Sequence, residues 1–481
     1  IYRRSLCFLL ALASSRVFPD RRLVIGHSLG KGYYYEYDRQ PPVTEAERAA
    51  LEEALHALVR EDLPIERVNL AYAEAVDHFK RYNQPDTVLL LEHRNDAKIP
   101  VTLCGGYIDI FHGPLVPRTG VLTRFELITY PPGMILRYPP VETPTALEPF
   151  QDNPLLFSVY REHKHWGRIL HINCIGLLNE KIKSREIREF IEVAEALHDK
   201  KIAETADQAR KKLAAGGVIL IAGPSSSGKT TFSKKLGIQL KVLGVTPVNL
   251  SLDDYYVSRL ETPRDEDGNL DFENIDALDI DKLNQDLVAL LSGEKTDTPI
   301  YDFKAGARKE QGRTLKLGPN SLLVIEGIHG LNDALTRAVP PERKFKVYVS
   351  ALTQLNLDDH NRIPTTDVRL IRRMVRDNQF RGYTALDTFR MWPSVRRGED
   401  RNIFPFQNNA DTAFNSSLDY ELAVLKVYSE PLLKTVKPDA AEYHEARRLL
   451  SFLTNVIPLP PLWIPPQSIL REFIGESGFS Y

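Results

Sequence analysis

The second half of the sequence predicts an α/β fold with a parallel sheet and covering helices, and the first part predicts an α+β domain before it. From residue 217 onward, short apolar strands alternate with helical patterns, which is typical of a parallel sheet. Before residue 140, strand and helix patterns occur without that alternation. The chain of 481 residues has room for about three domains of ordinary size.

Composition indicates an ordinary globular chain without a charge bias. Hydrophobic residues make up 43% and charged residues 26% of the chain, which permits normal hydrophobic cores. The formal net charge is −2, so nothing global points to nucleic acid or membrane surfaces as partners. The three cysteines lie far apart without metal-like spacing, which favours a reducing compartment, and we expect a cytoplasmic protein.

The first twenty residues combine two arginines with an apolar run and so imitate a signal peptide. Residue 1 is isoleucine, whereas a signal would begin close to an initiator methionine, so we expect a fragment or a processed product. We interpret residues 1–20 as a buried helix. No apolar run in the sequence reaches the length of a membrane span, and no membrane partner is expected.

Residues 1–140 carry local patterns for several strands and helices. The predicted strands are 23–26, 33–37, 100–106 and 125–128, and the predicted helices after the first are 44–59 and 69–82. Residues 141–213 are predicted as a connector that ends in a long amphipathic helix from Phe190 to about Leu213. Residues 214–436 form the predicted α/β domain. Residues 437–481 are predicted as a docked tail, to which the sequence assigns no chemistry.

Three segments in the first domain resemble the second additional domain of threonyl-tRNA synthetases, an editing domain. They read RVFPDRRLVIGHSLGKGYYYEYD, LCGGY and TGVLTRFELI, and the resemblance covers about residues 4–140. Editing enzymes form a metal-dependent site from a His-x-x-x-His pair and a Cys-Gly-Gly-x-His segment. Here Arg4, Phe8 and Ile108 replace the histidines, and only Cys104 remains. One thiol cannot supply a site that needs several ligands, so we expect a fold kept for structure or partner contact.

The strongest motif is GPSSSGKT at residues 223–230, which fits a glycine, four residues and then Gly-Lys-Thr. An apolar strand precedes it and an amphipathic helix follows, which is the context of a phosphate-binding loop (P-loop) rather than of an ordinary turn. Loop N–H groups and the helix N-terminus bind phosphate oxygens, Lys229 reaches the β- and γ-phosphates, and the Thr230 hydroxyl holds Mg²⁺. The predicted ATP-binding residues are Gly223, Pro224, Ser225, Ser226, Ser227, Gly228, Lys229, Thr230 and Thr231.

Carboxylates follow two of the predicted strands of this sheet, where ligands of parallel sheets bind. The predicted strands are 218–222, 248–252, 322–325, 345–349 and 421–425. Phosphoryl transfer to a hydroxyl needs a carboxylate that orients the acceptor and takes its proton. We expect Asp253 in this role, because it is the first residue to clear its strand, with a helix N-cap as the alternative for Asp253 or Asp254. Glu326 is expected on the Mg²⁺ side.

Four arginines recur on one face of a predicted helix, at positions 369, 372, 373 and 376. Their guanidinium groups match phosphate oxygens, so we expect them to form a lid over a polyphosphate, closed by Arg381 and Gly382. The alternatives are a solvated basic face or pairing with acids of another domain.

The segments AGPSSSGKTTFSKKL, SLDDYY, DFENIDALD, PIYDF, LLVIEGIHGL and DVRLIRRMVRDNQFRGY resemble the uridine kinase and phosphoribulokinase family, in the right order across about residues 217–426. Together with the first domain, the chain resembles two-part bacterial uridine kinase-like proteins. The resemblance implies a P-loop kinase that uses ATP and Mg²⁺. It matches Asp253 to the catalytic base, Tyr256 to an aromatic beside it, Asp276 to the ribose-binding acid, Tyr301 to a nucleoside-contacting tyrosine, Glu326 to the metal-side acid, and Arg369, Arg372 and Arg376 to lid positions.

The sequence departs from the family at one acceptor position. Pyrimidine kinases carry a base-reading histidine five residues after the tyrosine, where this chain has Gly306 between Lys304 and Arg308. We expect Mg²⁺-dependent transfer from ATP to a hydroxyl of a nucleoside, without defined base specificity. Lys304 and Arg308 would favour an anionic acceptor unless both are simply solvated, so another sugar or a sugar phosphate is an alternative acceptor. A regulatory ATP-binding protein that contacts tRNA or ribosomes through residues 1–140 is the other alternative. Residues 1–140 contain no strong basic patch, which makes nucleic acid an unlikely partner. The sequence does not decide whether the protein forms a homo-oligomer.

Overall fold

The computed structural model describes residues 1–264, 266, 268, 270–302 and 305–480. The helices are α1 (Tyr2–Val17), α2 (Glu45–Glu61), α3 (Tyr72–Arg81), α4 (Pro85–Glu92), α5 (Pro154–Ile169), α6 (Ile175–Lys183), α7 (Ile187–Lys212), α8 (Lys229–Val242), α9 (Ile280–Leu291), α10 (Thr365–Arg381), α11 (Ala385–Asn402), α12 (Glu421–Lys434), α13 (Tyr443–Leu453) and α14 (Arg471–Ile474). The strands are β1 (Leu23–Leu29), β2 (Gly32–Tyr37), β3 (Glu66–Ala71), β4 (Lys98–Cys104), β5 (Tyr107–Ile110), β6 (Glu126–Tyr130), β7 (Gly133–Arg137), β8 (Val218–Ala222), β9 (Thr246–Ser251), β10 (Thr296–Thr298), β11 (Tyr301–Asp302), β12 (Ala307–Arg308), β13 (Arg313–Leu315), β14 (Ser321–Glu326), β15 (Lys344–Ser350) and β16 (Thr412–Asn415).

The chain divides into two compact units that do not follow the four predicted segments. The first unit comprises Ile1–Arg188, Thr353–Pro364 and His444–Leu459. The second unit comprises Glu189–Leu352, Thr365–Tyr443 and Pro460–Tyr481. Much of the predicted connector therefore belongs to the first unit. The end of the predicted tail belongs to the second.

Two antiparallel sheets form the framework of the first unit, with strand orders β1-β2-β7-β6 and β3-β4-β5. Helix α1 lies in the core of this unit, where Leu6, Leu9 and Leu10 are fully buried. The prediction of a buried helix within residues 1–20 is therefore confirmed, over Tyr2–Val17.

One predicted element of the first unit was wrong in part. The helix expected over 69–82 begins only at Tyr72, because Glu66–Ala71 forms strand β3. In β3, Val68 pairs with Val101 of β4, so sheet pairing takes the backbone hydrogen bonds that a helix would use. The helical spacing of apolar residues, with a period of 3.6, is present from Tyr72 onward but does not extend back into β3.

Residues 353–364 join the first unit through a buried carboxylate. Asp359 is fully buried, and its carboxylate accepts hydrogen bonds from Arg22 Nε at 2.6 Å, from the Thr87 backbone N–H at 3.0 Å and from the Thr87 hydroxyl at 3.2 Å. A buried carboxylate without such partners would be strongly unfavourable, so these bonds fix the loop within its unit.

The second unit contains a five-stranded parallel sheet with strand order β16-β15-β8-β14-β9. The α/β prediction is confirmed, and four of the five predicted strands are present. The fifth, 421–425, was wrong, because Glu421–Leu425 forms the buried start of α12. A short run that is buried on all sides cannot be assigned from periodicity alone. The fifth strand of the sheet is instead β16, Thr412–Asn415, which lies at one edge.

Among the described residues, no helix is long and apolar enough to cross a lipid bilayer.

We expect Asp359→Ala to lower the free energy of unfolding by about 3 kcal/mol, because it leaves the Thr87 N–H buried without a partner and removes a charge that balances Arg22. Urea denaturation followed by tryptophan fluorescence measures this change. Asp77→Ala removes an exposed aspartate from α3 and should change stability by less than about 0.5 kcal/mol. Equal effects of the two substitutions would contradict the role given to Asp359.

Candidate active site

The loop 223–228 leaves β8, the central strand of the parallel sheet, and enters α8. Two glycines are required by its path. A Cβ at Gly223 would lie 1.9 Å from the carbonyl oxygen of Val349, so no larger residue fits there. Gly228 has φ of 81°, in the left-handed region that glycine adopts without strain. The sequence motif thus corresponds to a tight turn at the carboxyl end of the sheet.

Two of the predicted lid arginines lie behind this loop. Arg369 and Arg372 are 1% and 0% exposed and form buried ion pairs with Glu399 and Glu421. Arg369 Nε donates to the carbonyl of Ser225 at 2.9 Å. Arg372 also donates, to the carbonyl of Ser226 at 3.3 Å. The structure therefore places these arginines as supports of the loop. Their acidic partners belong to the same unit, whereas the alternative drawn from the sequence was pairing with acids of another domain. The part of these arginines in catalysis stays a prediction.

The next turns of α10 bring other arginines toward the loop. Arg373 donates to the Ser225 hydroxyl at 2.8 Å, and Arg376 lines an open cleft of about 530 Å³. The buried carboxylate of Asp377 pairs with Arg373 and Arg381 at 3.1 Å each and with Arg376 at 3.7 Å. Of the four arginines predicted on one helix face, Arg376 thus lines this cleft, and Arg381, predicted to close the lid, lines it as well.

Lys229 lies at the start of α8 and turns back onto its own loop. Its amine donates to the carbonyls of Gly223 at 2.8 Å and Pro224 at 3.1 Å. Burial lowers the pKa of Lys229, and the charges of Glu326, Glu472 and Glu273 oppose that shift. The lysine is therefore surrounded by carboxylates, and it stands within the loop that would receive phosphate.

The structure brings the two predicted metal-side residues together. The Thr230 hydroxyl donates to both carboxylate oxygens of Glu326 at 3.1 Å. Burial raises the pKa of Glu326, the charge of Lys229 lowers it, and the charges of Glu472 and Asp253 raise it further. A hydroxyl and a carboxylate in a region of negative potential fit a Mg²⁺ ion, which prefers hard oxygen ligands.

The two neighbouring aspartates have different environments. Both lie on a short 3-10 turn, Leu252–Tyr255, after β9. Asp254 accepts a hydrogen bond from the backbone N–H of Tyr301 at 3.3 Å, so it ties β11 to the turn. Asp253 keeps an exposed side chain, although surrounding protein atoms raise its pKa and the charge of Lys229 lowers it. Asp253 is therefore the carboxylate within electrostatic reach of the loop lysine.

Two predicted acceptor residues lie together beyond this turn. The rings of Tyr256 and Tyr301 are 5.7 Å apart at their centroids, and the Tyr256 hydroxyl donates to the carbonyl of Phe272 at 3.1 Å. Asp276 lies on the 3-10 turn Ile275–Ala277 with its side chain exposed to solvent. The turn approaches Tyr256 through a bridge between Tyr256 and Leu278.

The region of the missing histidine is occupied by arginines. Gly306 has φ of 69°, and a Cβ there would lie 2.4 Å from Cδ of Arg259. Arg308 donates to the carbonyls of Tyr255 at 2.9 Å and Tyr256 at 3.2 Å, and it pairs with Asp279 at 2.9 Å. Arg308 thus holds the turn that carries Asp253, whereas the sequence suggested contact with an anionic acceptor. Lys304 lies outside the described residues.

Sequence reasoning missed four acids of this region, namely Glu273, Glu399, Glu421 and Glu472. Glu273 belongs to the DFENIDALD segment, which could have indicated it. Burial and the nearby charge of Glu399 raise the pKa of Glu273 to about 7, against the opposing charges of Lys229 and Arg373. Glu399 and Glu421 lie far along the chain from the arginines they pair with, and no local pattern marks them.

Apolar packing surrounds most of the positions that the sequence resemblance matches to editing-site ligands. Phe8 and Ile108 are 5% and 3% exposed, and Cys104 is fully buried. Phe8 packs on Tyr107 with ring centroids 5.7 Å apart. Arg4 lines a cavity of about 20 Å³ there. Among the described residues, no group of three or more His, Cys, Asp or Glu could hold a metal ion.

Residues 218–423 match the model of the family described as the phosphoribulokinase / uridine kinase family. The matched range contains the loop, the 3-10 turn with Asp253, the Thr230–Glu326 pair and helix α10. Residues 218–423 are a domain of this family. We refer to them as the kinase-family domain.

The N-terminal region matches threonine–tRNA ligases. The ligase of Desulforamulus reducens is 37% identical over 130 residues, which are 27% of this chain and 20% of that protein. The ligase of Synechococcus sp. is 33% identical over 127 residues, which are 26% of this chain and 21% of that protein. The chain thus spans about a fifth of the length of these ligases.

Two solved structures are also similar, with low TM-scores. A protein of Bacillus stearothermophilus described as a possible uridine kinase is 20% identical, with a TM-score of 0.30, over 45% of this chain and 100% of that one. A D-glycerate 3-kinase of Cryptococcus neoformans is 16% identical, with a TM-score of 0.25, over 53% of this chain and 87% of that one. The family assignment depends on the match over residues 218–423.

We expect Glu273→Gln to stabilise the protein above pH 7 and to stabilise it much less near pH 5. A carboxyl whose pKa rises from 4.5 to about 7 on folding makes the native state less stable as the pH increases through that interval. Glutamine cannot ionise, so the substitution should add on the order of 1–3 kcal/mol to the free energy of unfolding at pH 8.

Chemical denaturation at pH 5 and pH 8 measures this difference. Glu310→Gln, at an exposed position, is the matched control and should show no such dependence on pH. A gain of the same size at both pH values would contradict a raised pKa for Glu273.

Proposed function

We propose that the kinase-family domain transfers the γ-phosphoryl group of ATP to a hydroxyl of a nucleoside. The observation that supports this best is the grouping of Lys229, the Thr230–Glu326 pair and Asp253 around one phosphate loop, with mutually interacting charges. A loop, a cation-binding pair and a carboxylate base are the parts that phosphoryl transfer to an alcohol requires.

Each residue has a distinct part in the proposed reaction. The loop N–H groups and Lys229 bind the phosphates and stabilise the negative charge of the transition state. Asp253 orients the acceptor hydroxyl and takes its proton, and a raised pKa makes it a stronger base. Thr230 and Glu326 would hold Mg²⁺, which supplies charge neutralisation between the phosphates. Arg376, at the cleft, would add positive charge beside them.

The acceptor pocket supports a nucleoside with weak selection of its base. Tyr256 and Tyr301 offer a paired aromatic surface, and Asp276 is the candidate for the ribose hydroxyls. Gly306 supplies no side chain to read a base edge. A phosphorylated sugar is the second candidate acceptor, because the cationic side chain of Arg259 packs against Gly306.

Two further proposals concern the setting of the reaction. A cytoplasmic location agrees with three buried cysteines that form no disulfide. A regulatory role, in which the ATP site governs contact with tRNA or ribosomes, is the candidate from another class, and the similarity of the N-terminal region to threonine–tRNA ligases favours it. Turnover of a small acceptor separates the two functions, since a binding switch needs no acceptor.

We expect ADP release with ribonucleosides, with kcat/KM values for uridine, cytidine and adenosine within about tenfold of one another. The 2′-deoxy forms should be about 10–100-fold poorer, because they lose a hydrogen bond to the Asp276 carboxylate. A coupled assay over these acceptors and ribulose 5-phosphate measures this, with Lys229→Ala as the inactive control. No Lys229-dependent turnover with any acceptor would refute the kinase proposal, and a preference for ribulose 5-phosphate would replace the nucleoside.

We also expect Asp253→Asn to lower kcat by about 10²–10⁴-fold while the affinity for ATP changes little, because it removes the base. Asp254→Asn should cost much less, since asparagine still offers an oxygen to the Tyr301 N–H. Single-turnover rates and equilibrium ATP binding of both variants measure the contrast. Equal rate losses would show that the two aspartates are misassigned.

A further inference from the structure

The segment formed by residues 468–476, near the C-terminal end of the second unit, packs against the kinase-family domain beside the phosphate loop. Ile469, Leu470 and Phe473 are fully buried, and Phe473 lies under the guanidinium of Arg372 at 4.9 Å. A Cβ at Gly228 would lie 2.6 Å from the Ile469 side chain, so the segment touches the end of the loop itself. Burial of several large apolar side chains makes it a permanent part of this unit.

This segment places one carboxylate on the first turn of α8. Glu472 is 9% exposed, and its Oε2 accepts from the Thr231 hydroxyl at 2.6 Å and from the Thr231 backbone N–H at 3.2 Å. Its other oxygen lies 3.9 Å from Arg376. The charge of Glu472 also raises the pKa of Glu326 and opposes the lowering of the pKa of Lys229. Glu472 is therefore an anion at the N-terminus of the loop helix.

The donors that Glu472 uses are those that a nucleotide phosphate needs. Backbone N–H groups in the first turn of a helix have no partner within the helix, and in a phosphate loop they bind phosphate oxygens. A carboxylate and a phosphate cannot both accept fully from the same Thr231 N–H and hydroxyl. Arg376 Nη1 lies 3.9 Å from the other carboxylate oxygen of Glu472, so a carboxylate displaced from Thr231 would keep a cationic partner.

We propose that Glu472 holds the place of a donor phosphate at Thr231 and thereby sets the affinity of the loop for its phosphoryl donor. This inference rests on the proposed function, because it takes ATP as the donor. Binding of the donor then includes a transfer of Glu472 from Thr231 to Arg376. The effect of Glu472 is to weaken donor binding, in contrast to a helix cap that would only stabilise α8.

The test compares the wild type with Glu472→Gln and Glu476→Gln by calorimetric titration with Mg·ATP and with magnesium pyrophosphate. Glutamine keeps the shape of the side chain but replaces a charged acceptor by a neutral one, so Kd should fall about tenfold for both ligands. Glu476 is on the same segment, 83% exposed, and its substitution removes the same charge without touching Thr231. It should leave Kd within about twofold.

An unchanged or higher Kd for Glu472→Gln would overturn the inference, and so would an equal gain from Glu476→Gln. Thermal unfolding checks that the variants are folded. If Glu472→Gln does not fold, Glu472→Asp decides, since its shorter arm withdraws the carboxylate from Thr231 and should also lower Kd. If Glu472→Gln binds pyrophosphate more tightly but the protein turns over no acceptor, the proposed function is refuted and this inference stands.

Discussion

The phosphate loop depends on two buried ion pairs that lie behind it. Arg369 and Arg372 bond the carbonyls of Ser225 and Ser226, and their charges are balanced by Glu399 and Glu421. A loop that binds phosphate through its N–H groups needs partners for its carbonyls on the other side. Removal of one member would leave a buried charge unpaired, which typically costs about 3–5 kcal/mol. The shape of the loop is therefore set by the helices around it as much as by its glycines.

Short sequence patterns predicted those parts of the structure that are determined by residues close together in the chain. The spacing of Gly223, Gly228 and Lys229 reports a tight turn before a helix, and that turn is present. The sequence could place Glu326 beside Thr230, because the carboxyl ends of adjacent parallel strands meet at the same edge of a sheet. The hydrogen bond between the two side chains agrees with this placement. Four strands of this sheet were predictable for the same reason, since each is a short apolar run between turns.

Contacts between distant parts of the chain were not predictable in this way. Four arginines on one helix face look alike in sequence, yet burial makes Arg369 a support of the loop and leaves Arg376 at the cleft. Asp377 of α10 pairs with Arg373 at a spacing of four residues, but the other acids come from α11, α12 and the C-terminal segment, which no spacing connects to α10. The run at 421–425 failed because burial on all sides erases the difference between a strand and a helix.

The division of the chain into units has a consequence for how this architecture can change. Six segments that alternate along the chain build the two units. After β15 the chain leaves the second unit, contributes residues 353–364 to the first unit, and re-enters the second unit at α10, the helix that carries the arginines. A protein whose parts are joined by one linker can lose or exchange either part by a single cut. Here a cut near residue 189 would strand two short segments, with Asp359 deprived of Arg22 and Thr87. The first unit would then lack two of its three segments, so its fold depends on chain that follows the phosphate loop and four strands of its sheet.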